Sequence, residues 1–365
     1  MARSVPLARR NLLAEPRRLV ASTAGVGMAI MLILLLDGLW AGIKANVTTY
    51  EDNVGADLYV AQPGTQNFFG AISLIPRSTV DTVRADPDVD WAVPVRGFFS
   101  IVELHDRKVP TYVIGSVPGE RGGPWELRQG RAPEANDQVA IGSVMAKRHG
   151  LTVGDSIEIM GSRFTVVGTS TDAFMASFVF MTHAATDQLL SAPATTSFVL
   201  VGTNDPAAVR ERLGATGLSI LDRDELAAND LSLMARAYSV PLTVMRAVAF
   251  TIGSLVIALT VYTAIMERRR EYGIVKAMGA RGRHLLTLTV QQTLIIAGIG
   301  LVSGGVLFLA GRAYITWARP QFVILASPSS LARAVAAAVL MALVAAVLPA
   351  GRLARLEPAA AYRGG

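Results

Sequence analysis

Four long apolar runs and one long mixed stretch organise the chain. The first run covers 19–43 and contains Leu19 to Leu36, where the only polar side chains are Ser22 and Thr23. The second covers 242–266, with Arg246 as its one charge. The third covers 286–311, and the fourth, rich in alanine, covers 331–350. A helix needs about 20 apolar residues to cross about 30 Å of hydrocarbon. All four runs reach that length, and soluble core helices rarely run so far without charge. Four transmembrane helices are predicted. The first run follows arginines, as a signal peptide does, but it exceeds the 7–15 apolar residues of a signal core. Asp37, Trp40 and Lys44 come next, where a cleavage site would need small residues. A retained helix is expected.

The stretch 44–241 mixes strand and helix patterns. Ala56 to Ala61 reads as a strand. Ser78 to Ala85 reads as a helix, with Ser78 as N-cap and Asp81 three residues on. Ala92 to Leu104 and Lys108 to Ser116 read as strands paired around a turn at 105–107. Gly142 to His149 reads as a short helix. Ser156 to Met160 and Arg163 to Thr169 read as a hairpin turned at Gly161–Ser162. Ser197 to Gly202 and Ser219 to Leu221 read as strands. Asp205 to Leu213 reads as a helix capped by Asp205, with Pro206 in its first position. Helical signals resume at Asp224 and run into the second apolar segment. The mixture predicts an α+β domain inserted between helices 1 and 2, with an outer subdomain at about 125–185.

Charge gives these segments a direction. The net charge is +6, which by itself suggests a nucleic-acid partner. The residues before run one, between runs two and three, and after run four carry 14 bases and 4 acids. The stretch from Lys44 to Pro241 carries 16 bases and 23 acids. Basic residues gather on the cytoplasmic side of short membrane loops. The expected order is therefore a cytoplasmic amphipathic helix at 1–18, helix 1, an extracytoplasmic domain at 44–241, and helix 2. A cytoplasmic loop at 267–285, helix 3, an outer loop at 312–330, helix 4 and a cytoplasmic tail at 351–365 follow. No basic patch remains on the soluble domain, so no nucleic-acid partner is expected.

Composition excludes much chemistry. The chain has no cysteine, and its four histidines (His105, His149, His183, His284) form no helix-spaced pair. No catalytic, cofactor or metal residue is predicted. Asp86, Asp88 and Asp90 open like a calcium loop, but the glycine and terminal glutamate of that loop are missing, so a solvated turn is expected. None of the four lysines (Lys44, Lys108, Lys147, Lys276) follows a glycine, so the sequence contains no G-K-[ST] phosphate loop. Asp37 lies near the outer end of helix 1 and reads as interfacial. Arg246 and Arg333 sit near span ends, where snorkelling is expected to carry their charge to the headgroups.

Two features bear on assembly. Gly300 and Gly304 form a G-x-x-x-G pair in helix 3, and Gly25 lies in a small-residue stretch of helix 1. Small residues let helices approach closely in lipid. These glycines are candidates for contact with a second copy, or for packing within the bundle. The loop from Glu267 begins with five consecutive charges, Glu267, Arg268, Arg269, Arg270 and Glu271. Gly273, Ile274, Lys276 and Gly279 follow among apolar Tyr272, Val275 and Met278. The pattern predicts a short amphipathic helix along the cytoplasmic face. It is either a basic loop that fixes topology or a helix that docks on a cytoplasmic partner.

The segment E-R-R-R-E-Y-G-I-V-K-A-M-G-A (Glu267 to Ala280) resembles the cytoplasmic loop of FtsX/MacB-type ABC transporter permeases. Pro349 to Arg363 is similar to the family's ending, with Tyr362 in place of the usual leucine. The start, LARRNLLAEPRR, and the outer stretch from Gly130 to Gly168 also resemble that family. The resemblance implies a non-catalytic bacterial inner-membrane subunit with cytoplasmic termini, paired with a second permease copy in a homodimer. Two copies of a separate ABC ATPase would bind the ATP and magnesium and dock on a coupling helix formed by 267–285. ATP-driven motion would then reach the outer domain for export or extraction of a substrate. A periplasmic adaptor or lipoprotein remains an open partner. The alternative is an FtsX-like scaffold that activates an extracytoplasmic enzyme or sensor.

Overall fold

The computed structural model describes residues 16–70, 72–104, 107–172, 177–267, 282–319 and 322–354. The expected helix at 1–18 (apart from its last residues), the tail motif beyond 354 and most of the 267–285 loop lie outside those residues. The chain forms two compact units. The first holds the chain up to Ala41, Ser239–Ala318 and the residues from Ile324 onward. The second holds Gly42–Tyr238 with Arg319–Val323.

The first unit is a bundle of four long helices: α1 (Pro16–Val47), α7 (Arg223–Glu267), α8 (Gly282–Ala318) and α9 (Pro328–Ala354). All four are long and apolar enough to span a membrane. Each outruns its apolar segment; α8 continues to Ala318, well past the limit at 311 set by hydropathy. Val26, Ile30, Ile257, Val261, Ile296, Ala334, Met341 and Ala342 are among the residues that form the bundle core. The outward faces carry apolar residues such as Val248, Leu255, Val302 and Val347, as lipid requires.

Helix α7 has two halves. Its 45 residues rise about 1.5 Å each, for a length of about 68 Å, roughly twice the hydrocarbon thickness. The segment Arg223–Tyr238 belongs to the second unit and carries Arg223, Asp224, Glu225, Asp230 and Arg236. The apolar part begins just after Pro241, the one proline inside the helix.

The second unit is α+β. Its short helices are α2 (Thr49–Val54), α3 (Thr79–Arg84), α4 (Ser143–His149), α5 (His183–Leu190) and α6 (Pro206–Gly214). Its strands are β1 (Leu58–Ala61), β2 (Ile75–Pro76), β3 (Val89–Leu104), β4 (Arg107–Ser116), β5 (Leu127–Gly130) and β6 (Gln138–Gly142). They continue with β7 (Ser156–Ile159), β8 (Ser162–Ser170), β9 (Ser177–Thr182), β10 (Thr195–Thr196), β11 (Phe198–Thr203) and β12 (Ser219–Asp222). The main sheet runs β12-β1-β11-β3-β4-β9-β6-β8-β5, with β7 pairing to β3 and β8. Most neighbours are antiparallel; β4–β9 and β6–β8 are parallel.

Strand β3 joins two halves of this sheet. Val89 to Val95 pair with β11, and Arg96 to Leu104 pair with β4. The partner changes between Val95 and Arg96. One half packs Leu58, Val60, Val199 and Val201 against α3 and α6. The other packs Val113, Val139, Ile141 and Val179 with Met145 and Ala146 of α4. An aromatic core with Tyr50, Phe68, Tyr112, Phe178 and Phe198 fills the space beside both.

Local signals behaved unevenly. Asp205 caps α6 by accepting from the Ala208 amide at 3.0 Å. Ser78, the expected cap of α3, makes no side-chain cap bond and adopts a helical backbone itself, so it extends the turn instead of capping it. The Asp86–Asp90 turn is tied down rather than free. Arg212 of α6 meets Asp86 and Asp88, each at 2.6 Å, and its hydrogen bonds hold the Asp86 carboxyl below the usual range.

Candidate functional site

Within the bundle, α1 is the hub. A Cβ on Gly300 would meet the Val26 side chain at 2.5 Å, and one on Gly304 would meet the Gly27 carbonyl at 2.8 Å. A Cβ on Gly25 would lie 3.2 Å from Val256. Thus Gly300 and Gly304 bring α8 against α1, and Gly25 faces α7, all inside one chain. Bare backbone is needed because a side chain would push the helices apart. Ser22 and Thr260 add a 2.7 Å hydroxyl contact between α1 and α7.

Asp37 is enclosed by the bundle. Its side chain is 2% exposed. Arg246 of α7 donates to its Oδ1 at 2.8 Å, and Arg333 of α9 donates to its Oδ2 at 2.7 Å. The two arginines do not simply snorkel outward; each commits a guanidinium N–H to the same carboxylate. A charge in a lipid-embedded bundle is tolerated when paired, and this pairing ties three helices together.

In the second unit, the chain that follows α1 and the polar half of α7 meet the aromatic core. Gly55, at φ +72°, ends α2 in the left-handed region. Tyr50 of α2 stacks on Phe68 at 4.7 Å and donates to the Gly122 carbonyl at 2.9 Å. Phe68 and Phe69 lie on the strap between β1 and β2. Tyr112 donates to the Phe68 carbonyl at 2.8 Å. Asp230 of α7 accepts the Phe68 amide at 2.8 Å and the Phe69 amide at 3.2 Å. A carboxylate from α7 therefore holds the strap that stacks on α2.

A second polar hub sits where β3 changes partners. Arg96, 1% exposed, meets Asp187 at 3.0 Å and donates to the carbonyls of Ala192 and Thr195. Arg77 also reaches Asp187, at 3.5 Å. His183 Nδ1 lies 3.5 Å from Asp187 and its Nε2 lies 3.1 Å from the Thr196 hydroxyl. Burial, with the two nearby arginines against it, pushes the imidazole down to about 4.

Of the predicted coupling residues, Glu267 ends α7. Arg268, Arg269, Arg270, Glu271, Gly273, Ile274, Lys276 and Gly279 lie outside the described residues. Among the described residues no group of three or more His, Asp or Glu is placed to hold a metal ion. Sequence reasoning missed the Asp37 pairing, the Glu51 and Asp230 carboxyls, and the Arg96 hub. Their partners are distant in the chain, so no local pattern marks them.

The FtsX-like permease C-terminal family model matches residues 243–358, and the MacB-like periplasmic core domain model matches residues 19–216. An uncharacterized ABC transporter permease of Mycobacterium tuberculosis is 28% identical over 364 residues, covering 97% of this chain and 98% of that protein. The macrolide export ATP-binding/permease protein MacB of Brucella melitensis is 24% identical over 401 residues. That match covers 99% of this chain but 60% of that protein. The periplasmic region of MacB from Actinobacillus actinomycetemcomitans aligns with a TM-score of 0.37 at 13% identity, over 47% of this chain and 92% of that structure. The chain belongs to the FtsX/MacB-type ABC transporter permeases, as a four-helix membrane protein with a MacB-like extracytoplasmic domain.

Proposed function

We propose that this permease carries ATP-driven motion from a separate ABC ATPase to its extracytoplasmic domain, working as a homodimer with two ATPase copies. In this reading both termini and the 267–285 loop face the cytoplasm, and the loop is the coupling helix. The observation that carries the proposal is α7. One helix runs from Arg223, in the sheet-bearing unit, through Pro241 to Glu267, the first residue of the charged loop. In this reading, motion at Glu267 passes along α7 toward its polar half. The resident chemistry is binding and transmission; ATP and magnesium belong to the partner. Export or extraction of a substrate is the favoured outcome, since the MacB relative is named for macrolide export.

The test uses the full chain reconstituted with its ATPase in lipid. Deleting Tyr272 to Gly279, or substituting Lys276→Glu, is expected to lower ATPase activity to that of the ATPase alone. The folded permease should persist by thermal unfolding. Normal stimulation by either variant would overturn the coupling assignment.

A further inference from the structure

Glu51 and Asp230 are both fully buried. Asp230 satisfies its two oxygens with the amides of Phe68 and Phe69. Neither oxygen of Glu51 has a hydrogen-bond partner among the described residues; its neighbour Tyr50 stacks on Phe68, whose amide Asp230 accepts, and Asp230 is the side chain that acts most strongly on the Glu51 carboxyl. Two acceptors can bond only through a proton. A buried carboxylate with neither donor nor counter-ion is strongly disfavoured.

The surroundings supply no alternative. Tyr59 of β1 is fully buried with an unpartnered hydroxyl. Tyr50 donates to Gly122, and Tyr112 of β4 donates to Phe68. The remaining charges acting on the cluster are Asp52 beside Glu51, Asp57 before β1 and Arg223 at the start of α7, the last three felt at Tyr59. Burial holds all three tyrosines above their ordinary range. They stay neutral at any physiological pH and leave the two carboxyls as the titrating groups.

We propose that Glu51 and Asp230 share one proton and form a proton-held latch between α2 and α7. With the proton present, Glu51 donates to Asp230, and Asp230 keeps the strap amides of Phe68 and Phe69. When the proton leaves, two facing carboxylates repel, and the strap, α2 and α7 loosen from one another. The outer domain thus responds to extracytoplasmic pH at the place where two membrane-linked segments meet its core.

The direction of the pH effect follows from linkage. Burial raises both carboxyls, Asp230 to about 6 and Glu51 well above its ordinary value. A raised carboxyl stabilises the folded state below its unfolded pKa and loses that contribution as pH rises through the folded one. Acid should tighten this latch, and mild alkali should release it.

The experiment is hydrogen exchange on the full-length protein in lipid nanodiscs from pH 5.5 to 8.5, corrected for the intrinsic rate. The wild-type strap amides are expected to lose protection about tenfold or more across that range. Glu51→Gln supplies a permanent N–H donor of the same shape and should abolish the slope while keeping protection high at pH 8.5. Asp230→Asn, a second variant, should also flatten it. Constant protection in the wild type overturns the latch without reference to any variant. An unchanged slope in a folded Glu51→Gln protein overturns the assignment to this pair.

Discussion

Asp37→Leu is expected to destabilise the membrane bundle by about 2–3 kcal/mol. Removing the shared carboxylate leaves Arg246 and Arg333 without their common partner. Breaking a buried ion pair by deleting one member costs about 3–5 kcal/mol. The lower figure applies because the Arg246 and Arg333 side chains are 31% and 53% exposed, so each can turn partly toward the headgroups. Replacing all three charges together, as Asp37→Leu, Arg246→Leu and Arg333→Leu, should recover most of the loss, since apolar replacement of a whole buried ion cluster is often neutral. Thermal unfolding in detergent checks both. A single variant as stable as the wild type would remove the triad from the account of how α1, α7 and α9 are held.

Arg96→Leu is expected to cost about 3 kcal/mol in the outer domain. The guanidinium is 1% exposed and is shared by Asp187, Ala192 and Thr195 at the point where β3 changes partners. Its loss leaves Asp187 with Arg77 at 3.5 Å as its remaining arginine and removes a buried donor from the carbonyls of Ala192 and Thr195. The same substitution removes a cation that disfavours imidazolium at His183. The His183 pKa should therefore move upward from about 4, a shift that NMR of the imidazole reads directly. Sign matters here. A lowered histidine contributes stability that fades as pH falls through its ordinary value, so the wild-type hub should weaken in acid, opposite to the Glu51–Asp230 latch. An unmoved His183 pKa would mean that burial alone sets it.

What the sequence made legible follows from the physics of each signal. Lipid demands long uncharged runs, so all four spans were readable from hydropathy. Their ends were not, because α7 and α8 continue as helix beyond their apolar runs. Hairpins such as β3–β4 and β7–β8 announced themselves by alternation and by turn residues. Strands β6 and β9 did not. Val139 to Gly142 and Phe178 to Thr182 are buried without interruption, and a uniformly buried strand has no alternation to detect. Helix α5 was missed as well, although Thr182 caps it by accepting from Ala185.

The charged clusters were the least legible. Asp37 finds partners 209 and 296 residues away, and no local pattern in T-Y-E-D-N-V marks Glu51 as enclosed. Only the fold reveals that these acids are enclosed. The glycines of helix 3 were legible as close-packing sites but not as to partner. The structure uses Gly300 and Gly304 against α1, which gives these two positions a role inside the chain without any second copy.

Transmission from ATPase to outer domain is measured most directly by one distance. The chain lacks cysteine, so a single Arg148→Cys on α4 of the outer domain, spin-labelled, reports the separation between the two copies of the proposed homodimer. With the ATPase bound, adding ATP should shift that distance distribution in the intact protein and leave it unchanged when Tyr272 to Gly279 are deleted. An unchanged distribution in the intact complex, with ATP bound and hydrolysis under way, would contradict the claim.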